Sequence, residues 1–381
     1  MSLLKQTPFQ LLVVLGALSV AAGSCLGAVV GVEDASAFSD PGSAYYGVNP
    51  DYVYVTRGGT SVAIGYSTML TADHYYINTV DDGVAGYDTF TINGDTWCVS
   101  SVELLAPDPG KTSTPDIRVL HMENLSNPYR PLPGYYELYD AGSWPSSERN
   151  LVMIGTGDTG VDHVTYYTDT DDTRDLRWGT NRADSWTYKN YSGYRGPHTT
   201  LCFNMDYRSD ESDHEVGLGM GDSGCAFLTN DVSEGVWKLA GFGLYRYEQS
   251  SGSGKYYSVS AASIPFYASR LEAILADDLL FGDTDGDGDV DLTDYVTVEA
   301  NFGLTGATWA DGDFDGDGFV GVEDYFVIKT NLGYEYEPIS SVAPDGGSSE
   351  QSLAVPEPAS VMLLGLGAAA LLRRRRRQGS R

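Results

Sequence analysis

The chain has 381 residues, enough for more than one domain with a sizeable core, and its 27 Tyr and 45 Gly with few long apolar runs favour a turn-rich β protein. The formal net charge is −30, while Lys5, Arg373 to Arg377 and Arg381 lie in end segments without acids, so the intervening chain is more acidic still. Nucleic acid is excluded as a partner, because phosphate recognition needs a basic surface; divalent cations are expected instead.

In chain order, the first element is an address label. Lys5, the apolar run "FQLLVVLGALSVAAG" and the small-residue exit "SCLGA" read as a secretory signal over 1–28, with cleavage after Ala28. Residues 29–263 follow as short strands between turns: "YVYVTRG", "TSVAIGYSTMLTA", "DTFTING", "DIRVLHM", "NLVMIGTG" and "VWKLAGFGLYRY". Such spacing predicts a sandwich or barrel. Phe266, Arg270, Leu271 and Ile274 then fall at helical spacing, so one helix over 264–277 closes the domain. Export permits disulfides. Cys98, Cys202 and Cys225 remain once the signal is removed; Cys202–Cys225 is the expected pair, though sequence alone does not fix it.

An internal repeat occupies 280–334. "GDTDGDGDVDLTDYVTVEANFG" and "GDFDGDGFVGVEDYFVIKTNLG" superimpose at a constant offset of 30. Each places carboxylates at loop positions 1, 3, 5 and 12: Asp283, Asp285, Asp287 and Asp294 in one, Asp313, Asp315, Asp317 and Asp324 in the other. Gly288 and Gly318 stand at position 6, where a wrapping loop turns sharply, and Asp289 and Phe319 offer the position-7 carbonyl. Asp291 adds a carboxylate at position 9 of the first loop, where the second has Gly321; Val290 and Val320, at position 8, are expected to pair the two loops. Several hard oxygens on a flexible loop suit Ca²⁺, and two matched loops predict two sites. Aspartate at position 12 and the lack of a clear entering helix resemble a type I dockerin. That resemblance implies an α-helical pair of F-hand motifs that folds on calcium and docks to a cohesin-like domain. The recognition pairs, Leu292-Thr293 and Val322-Glu323, differ between repeats, which argues against symmetric docking.

Residues 335–354 are polar, with Gly-Ser pairs, and read as a linker. In 355–381, "VPEPAS" precedes a 12-residue apolar run and five arginines. The run is shorter than the roughly 20 residues of a spanning helix. The tail is similar to the PEP-CTERM sorting signal of Gram-negative bacteria. That likeness implies transient membrane association, an exosortase-type sorting enzyme as partner, and a destination in the cell envelope or beyond.

One serine stands out in "GMGDSGCAF". A serine nucleophile needs a base, and the base needs a buried carboxylate to hold its tautomer. Of the five histidines, only His74 ends an apolar strand, in "MLTADH", and Asp116 opens an alternating strand in "PDIRVL". These motifs resemble "VLTAAH", "NDIALL" and "GDSGG" of trypsin-like serine proteases, and the order His74, Asp116, Ser223 is that family's. The resemblance spans most of 29–277 and implies a mainly β, two-barrel chymotrypsin-like domain closed by the C-terminal helix. It assigns the triad to His74, Asp116 and Ser223, and the oxyanion hole to the amides of Gly221 and Ser223. It further pairs Asp222 with the new N-terminus at Val29. The hydrolysis itself then needs no cofactor, and its substrate is a protein or peptide.

Departures from that pattern are Tyr75 where a cysteine is usual, Asp73 beside His74, and Cys225-Ala226 after the serine turn. Gly217 at the base of the pocket implies an apolar or aromatic P1 residue rather than a basic one, and "GFGLYRY" supplies the wall that pairs with substrate. Two other classes use the same residues: an inactive protease-fold binding protein whose function lies in the calcium repeats, and an esterase.

Overall fold

The computed structural model describes residues 36–336, excluding 42, 56–58, 75–88, 141–148, 157–175, 194–195, 208–216, 219–220 and 252–253. The signal, Val29, Tyr75, most of the linker and the sorting tail lie outside the described residues.

β-Branched and aromatic residues build two antiparallel sheets, both curled and barrel-like. The first contains β1 (Val53–Val55), β2 (Thr60–Ala63), β3 (Thr68–Thr71), β4 (Thr89–Ile92), β5 (Asp95–Leu104) and β6 (Arg118–Asn124), in the order β1-β2-β3-β6-β5-β4. Local chemistry sets its hairpins. Asn93 and Gly94 both adopt positive φ in a two-residue turn between β4 and β5, the turn whose twist suits a hairpin. The second sheet contains β7 (Arg149–Gly155), β8 (Arg177–Ala183), β9 (Ser185–Gly193), β10 (Gly196–Tyr207), β11 (Ala226–Asp231), β12 (Val236–Ser251) and β13 (Gly254–Ser263). Its order is β8-β7-β11-β12-β13-β10-β9. The Asp184 amide, just past β8, donates to Asn204 O on β10 at 2.9 Å, which curls the sheet back on itself.

A short helix, α1 (Ser36–Ser39), precedes the sheets, and α2 (Ile264–Leu275) closes them. The helix forms where the spacing predicts, but its buried face is Ile264, Tyr267, Ala268 and Leu271, with Phe266 exposed. Arg270 explains the rotation: its guanidinium reaches Asp108 at 2.7 Å and cannot share the apolar face. The main core joins the inner faces of both sheets, from Val62, Leu70 and Val119 to Leu228, Phe242 and Leu271.

Two helices follow, α3 (Leu292–Asn301) and α4 (Val322–Asn331), each entered from one of the acidic loops. Val290 and Val320 are fully buried in a shared core with Val298, Val327 and Ile328. The two loops meet in that core through these side chains, while their backbones pair elsewhere. Val290 pairs with the segment after α4, donating to Tyr334 O at 2.9 Å, and Val320 with the segment after α3, donating to Leu304 O at 3.1 Å. Each loop thereby closes off the end of the opposite helix.

This unit packs on the first sheet. Tyr66, at the β2–β3 turn, and Tyr129 join its core, and Asn331 Nδ2 donates to Tyr129 O at 2.8 Å. Asp278 receives the Ser67 amide at 3.0 Å and its hydroxyl at 2.5 Å. Tyr336, in the expected linker, stacks on Tyr135 with centroids 4.1 Å apart.

Candidate active site

β3 delivers His74 through the buried run Thr71-Ala72-Asp73. Because Thr71 pairs with Arg118 across the β3–β6 ladder, Asp116, two residues before β6, falls beside His74. The His74 amide donates to Asp116 Oδ1 at 2.8 Å, and its Nδ1 lies 2.6 Å from Oδ2. Asp116 is fully buried and fastened from the second sheet as well. Its amide donates to Thr200 Oγ1 at 2.8 Å, and the Tyr245 hydroxyl donates to Oδ2 at 2.6 Å. Burial alone raises the Asp116 pKa, but the hydrogen bond and charge of His74, followed by the Tyr245 hydroxyl, hold it below the usual carboxylate range.

Ser223 comes from the second sheet, in the turn before β11, with Oγ 3.0 Å from His74 Nε2. With Nδ1–H given to the carboxylate, Nε2 is left to accept the serine proton. The turn is locked to the first sheet: the Thr60 amide donates to Ser223 O at 2.9 Å and its Oγ1 to Gly221 O at 3.1 Å. Gly221 and Gly224 both hold positive φ, and a Cβ on Gly224 would sit 1.8 Å from Thr60 O. No other residue allows that approach. Among the described residues, neither the Gly221 nor the Ser223 amide donates to a protein acceptor.

The departures find places too. Asp73 forms a buried ion pair with Arg118, whose Nε donates to Oδ1 at 2.8 Å. Asp222 is buried against Gly155, where an added Cβ would meet its Oδ1; its expected partner Val29 lies outside the described residues. Gly217 is buried beside Leu218. A Cβ on Gly243 would meet both Leu218 Cδ2 and Cys225 Sγ at 2.6 Å, so Cys225 fills the space under β12.

The expected Cys202–Cys225 disulfide is absent, and Cys98, Cys202 and Cys225 are all free and buried. Cys202 faces the core between the sheets, whereas Cys225 faces a separate cluster with Leu218 and Phe227. Burial, followed by the charge of Asp222, pushes the Cys225 thiol well above its ordinary range, so it packs as a small apolar side chain.

In the repeats, oxygens of Asp283, Asp285 and Asp294 gather within 4.8 Å of one another, as do those of Asp313, Asp315 and Asp324. Asp289 and Asp291 converge with Asp294 in the same way. Asp291 also caps α3, accepting from the Thr293 amide at 2.5 Å. Asp287 and Asp317 lie outside these groups and accept from the amides of Asp289 and Phe319, at 3.2 and 2.8 Å, shaping the turn instead. Phe319 bridges to Thr305 through its backbone. Burial and then neighbouring carboxylates raise the Asp285 pKa. Backbone amides oppose the same effects at Asp283, which is raised nonetheless. Crowded acidic oxygens on glycine-bearing loops fit a hard divalent cation.

Sequence reasoning missed Tyr245, Tyr191 and Thr60. Tyr245 lies in the expected wall segment, but nothing in "GLYRY" says which tyrosine turns inward. Comparison with known proteins places the chain first by its destination: it carries the mark of an exported protein of the Gram-negative cell envelope. That mark is the PEP-CTERM protein-sorting motif, whose family model matches residues 354–377 and which exosortase-type enzymes recognise. No curated protein matches the chain.

Proposed function

We propose that the chain is an exported serine endopeptidase of the trypsin-like kind, carrying a calcium-binding, dockerin-like module. The observation that carries this reading is the continuous relay Asp116 Oδ2–His74 Nδ1 at 2.6 Å and His74 Nε2–Ser223 Oγ at 3.0 Å. Ser223 Oγ attacks the scissile carbonyl while His74 Nε2 takes its proton. The Gly221 and Ser223 amides receive the developing oxyanion; removal of one such donor typically costs about 3 kcal/mol. His74 then protonates the leaving amine, and water releases the acyl group by the reverse relay. Asp116 stays ionised throughout and steadies the imidazolium. Gly217, which offers no carboxylate where the resemblance places the base of the specificity pocket, suits an apolar or aromatic P1 side chain rather than a basic one.

Asp283, Asp285 and Asp294, with Asp313, Asp315 and Asp324, would hold the two calcium ions, and the ions' contribution is to neutralise carboxylates that otherwise repel. Leu292, Val296, Val322 and Phe326 are exposed on α3 and α4, which supports a docking role toward a cohesin-like partner.

The test is a fluorophosphonate probe on the full chain with calcium present, beside Ser223→Ala. Labelling of the native chain and its loss in the variant, together with cleavage of a peptide library, are expected. Absence of Ser223-dependent labelling would make the domain a binding protein. Labelling without any peptide cleavage would make it an esterase.

A further inference from the structure

β12 breaks its alternation beside the site. A register shift between Gly243 and Tyr245 against β13 inserts Leu244 as an extra residue, so Leu244 and Tyr245 are both buried in the core between the sheets. Bulges of this kind re-aim side chains. Here the bulge turns the Tyr245 hydroxyl onto Asp116 Oδ2 at 2.6 Å, the oxygen that also faces His74 Nδ1. The other oxygen, Oδ1, accepts the His74 amide. The carboxylate is therefore gripped at both ends and cannot rotate.

The same ring lies along the imidazole, with centroids 6.0 Å apart and planes 30° from parallel. Tyr191, on β9, packs against both rings, 5.4 Å from His74 and 4.7 Å from Tyr245. The end of β9 can lie this close because it is Gly193, where a Cβ would come within 2.6 Å of His74 Cβ.

We propose that Tyr245 is a positioning residue of the site, fixing Asp116 through its hydroxyl and the plane of His74 through its ring. The inference rests on the hydrolytic reading above and adds a residue that the resemblance does not supply. Burial and then the Asp116 charge hold the phenol far above its ordinary pKa, so it remains a donor at every working pH. A donor on Oδ2 draws negative charge away from Asp116 and weakens its support of the imidazolium. The other titratable groups around Asp116 are His198 and Cys202 on β10, Ser223, and the Asp73–Arg118 pair.

The experiment compares the native full chain with Tyr245→Phe, which keeps the ring and removes the donor. Two readouts are taken: an NMR titration of the ¹³C-labelled His74 ring, and the pH profile of kcat/KM. The expected result is an upward shift of the His74 pKa by about one unit, an equal shift of the acid limb, and a roughly tenfold lower kcat at constant KM. A tyrosine that merely fills the core would leave the His74 titration where it is in the native chain, and that outcome overturns the inference. If Tyr245→Phe fails to fold, 3-fluorotyrosine at position 245 keeps the shape and strengthens the donor. It must then move His74 downward, and an unmoved titration is equally fatal. Because the NMR readout needs no turnover, a chain that shows the shift but never labels with fluorophosphonate retains the positioning role and loses the hydrolytic reading.

Discussion

The cleft and the acidic repeats are organised by opposite physics. The cleft gathers His74 and Asp116 from one sheet and Thr200, Ser223 and Tyr245 from the other, and every one of them is held by hydrogen bonds among neutral or oppositely charged groups. Its rigidity comes from a core that spans both sheets. The repeats instead build each loop from a single short stretch, around a much smaller core, and bring like charges together. A region organised by packing is complete without a ligand, whereas a region organised by repulsion is completed by a counter-charge. The two meet at Tyr66, Asn331 and Asp278, on the first sheet whose β3 carries His74.

Chelation is the strongest way to break that comparison. The two proposed calcium sites, each at a hundredfold excess over Kd, would contribute about 2.7 kcal/mol apiece. Chelator is expected to lower the melting temperature by many degrees, with α3 and α4 losing helicity first by circular dichroism. Because Asn331 anchors the unit to Tyr129, and Tyr66 packs in its core, amide exchange in 63–68 and 129–132 is expected to accelerate as well. Unchanged exchange there would mean that the module only rests on the barrel.

The next effect strikes the other region. In Gly224→Ala the new Cβ would collide with Thr60 O and demand a positive φ, where non-glycine residues are strained. The expected cost is roughly 2–4 kcal/mol, with loss of Ser223 labelling, while calcium affinity by titration calorimetry stays at its native value. An equal loss at both ends would erase the distinction between the two regions.

Legibility in the sequence divides along the same line. The serine, histidine and aspartate were legible because each sits in a short motif whose local geometry is self-contained, and the acidic loops were legible because they repeat. The helix over 264–277 was legible from its spacing, yet its buried face was not, since Arg270 answers to Asp108 far away in the chain. Tyr245 was hidden because its direction depends on a bulge, set by the pairing of β12 with β13. The crossed pairing of Val290 and Val320 was hidden for a similar reason: position 8 says that a residue is apolar, not which strand-like segment it meets. β8 to β10 carried too many polar residues to be read as strands, although they complete the second sheet.

Acidification sharpens the comparison more gently. Burial and like-charged neighbours raise the pKa values of Asp283 and Asp285 in the folded protein, so protons compete for these oxygens at higher pH than for ordinary carboxylates. The folded state without calcium therefore binds more protons than the unfolded chain across that window, and stability without calcium rises as pH falls through it. Calcium affinity is expected to move the other way and weaken on acidification. Asp116 has the opposite sign: its lowered pKa gives stability that is present above the unfolded value and lost only as pH drops through the folded one. Titration calorimetry from pH 7 to pH 5 is expected to show falling calcium affinity.

The smallest expected effect is that of a reductant. Three buried, unpaired cysteines mean that no covalent staple supports either region among the described residues. Cys225 lies closest to the serine turn, but with its thiol held protonated it is a poor nucleophile. Native protein is expected to resist iodoacetamide and to melt at the same temperature with or without dithiothreitol, whereas denaturant exposes all three thiols to alkylation. Cys225→Ala removes only the sulfur between Leu218 and Gly243, and a cavity of that size costs on the order of 1 kcal/mol. The cleft then retains its labelling rate, because Ser223 is fixed by the Thr60 and His74 contacts rather than by what fills the space beneath it.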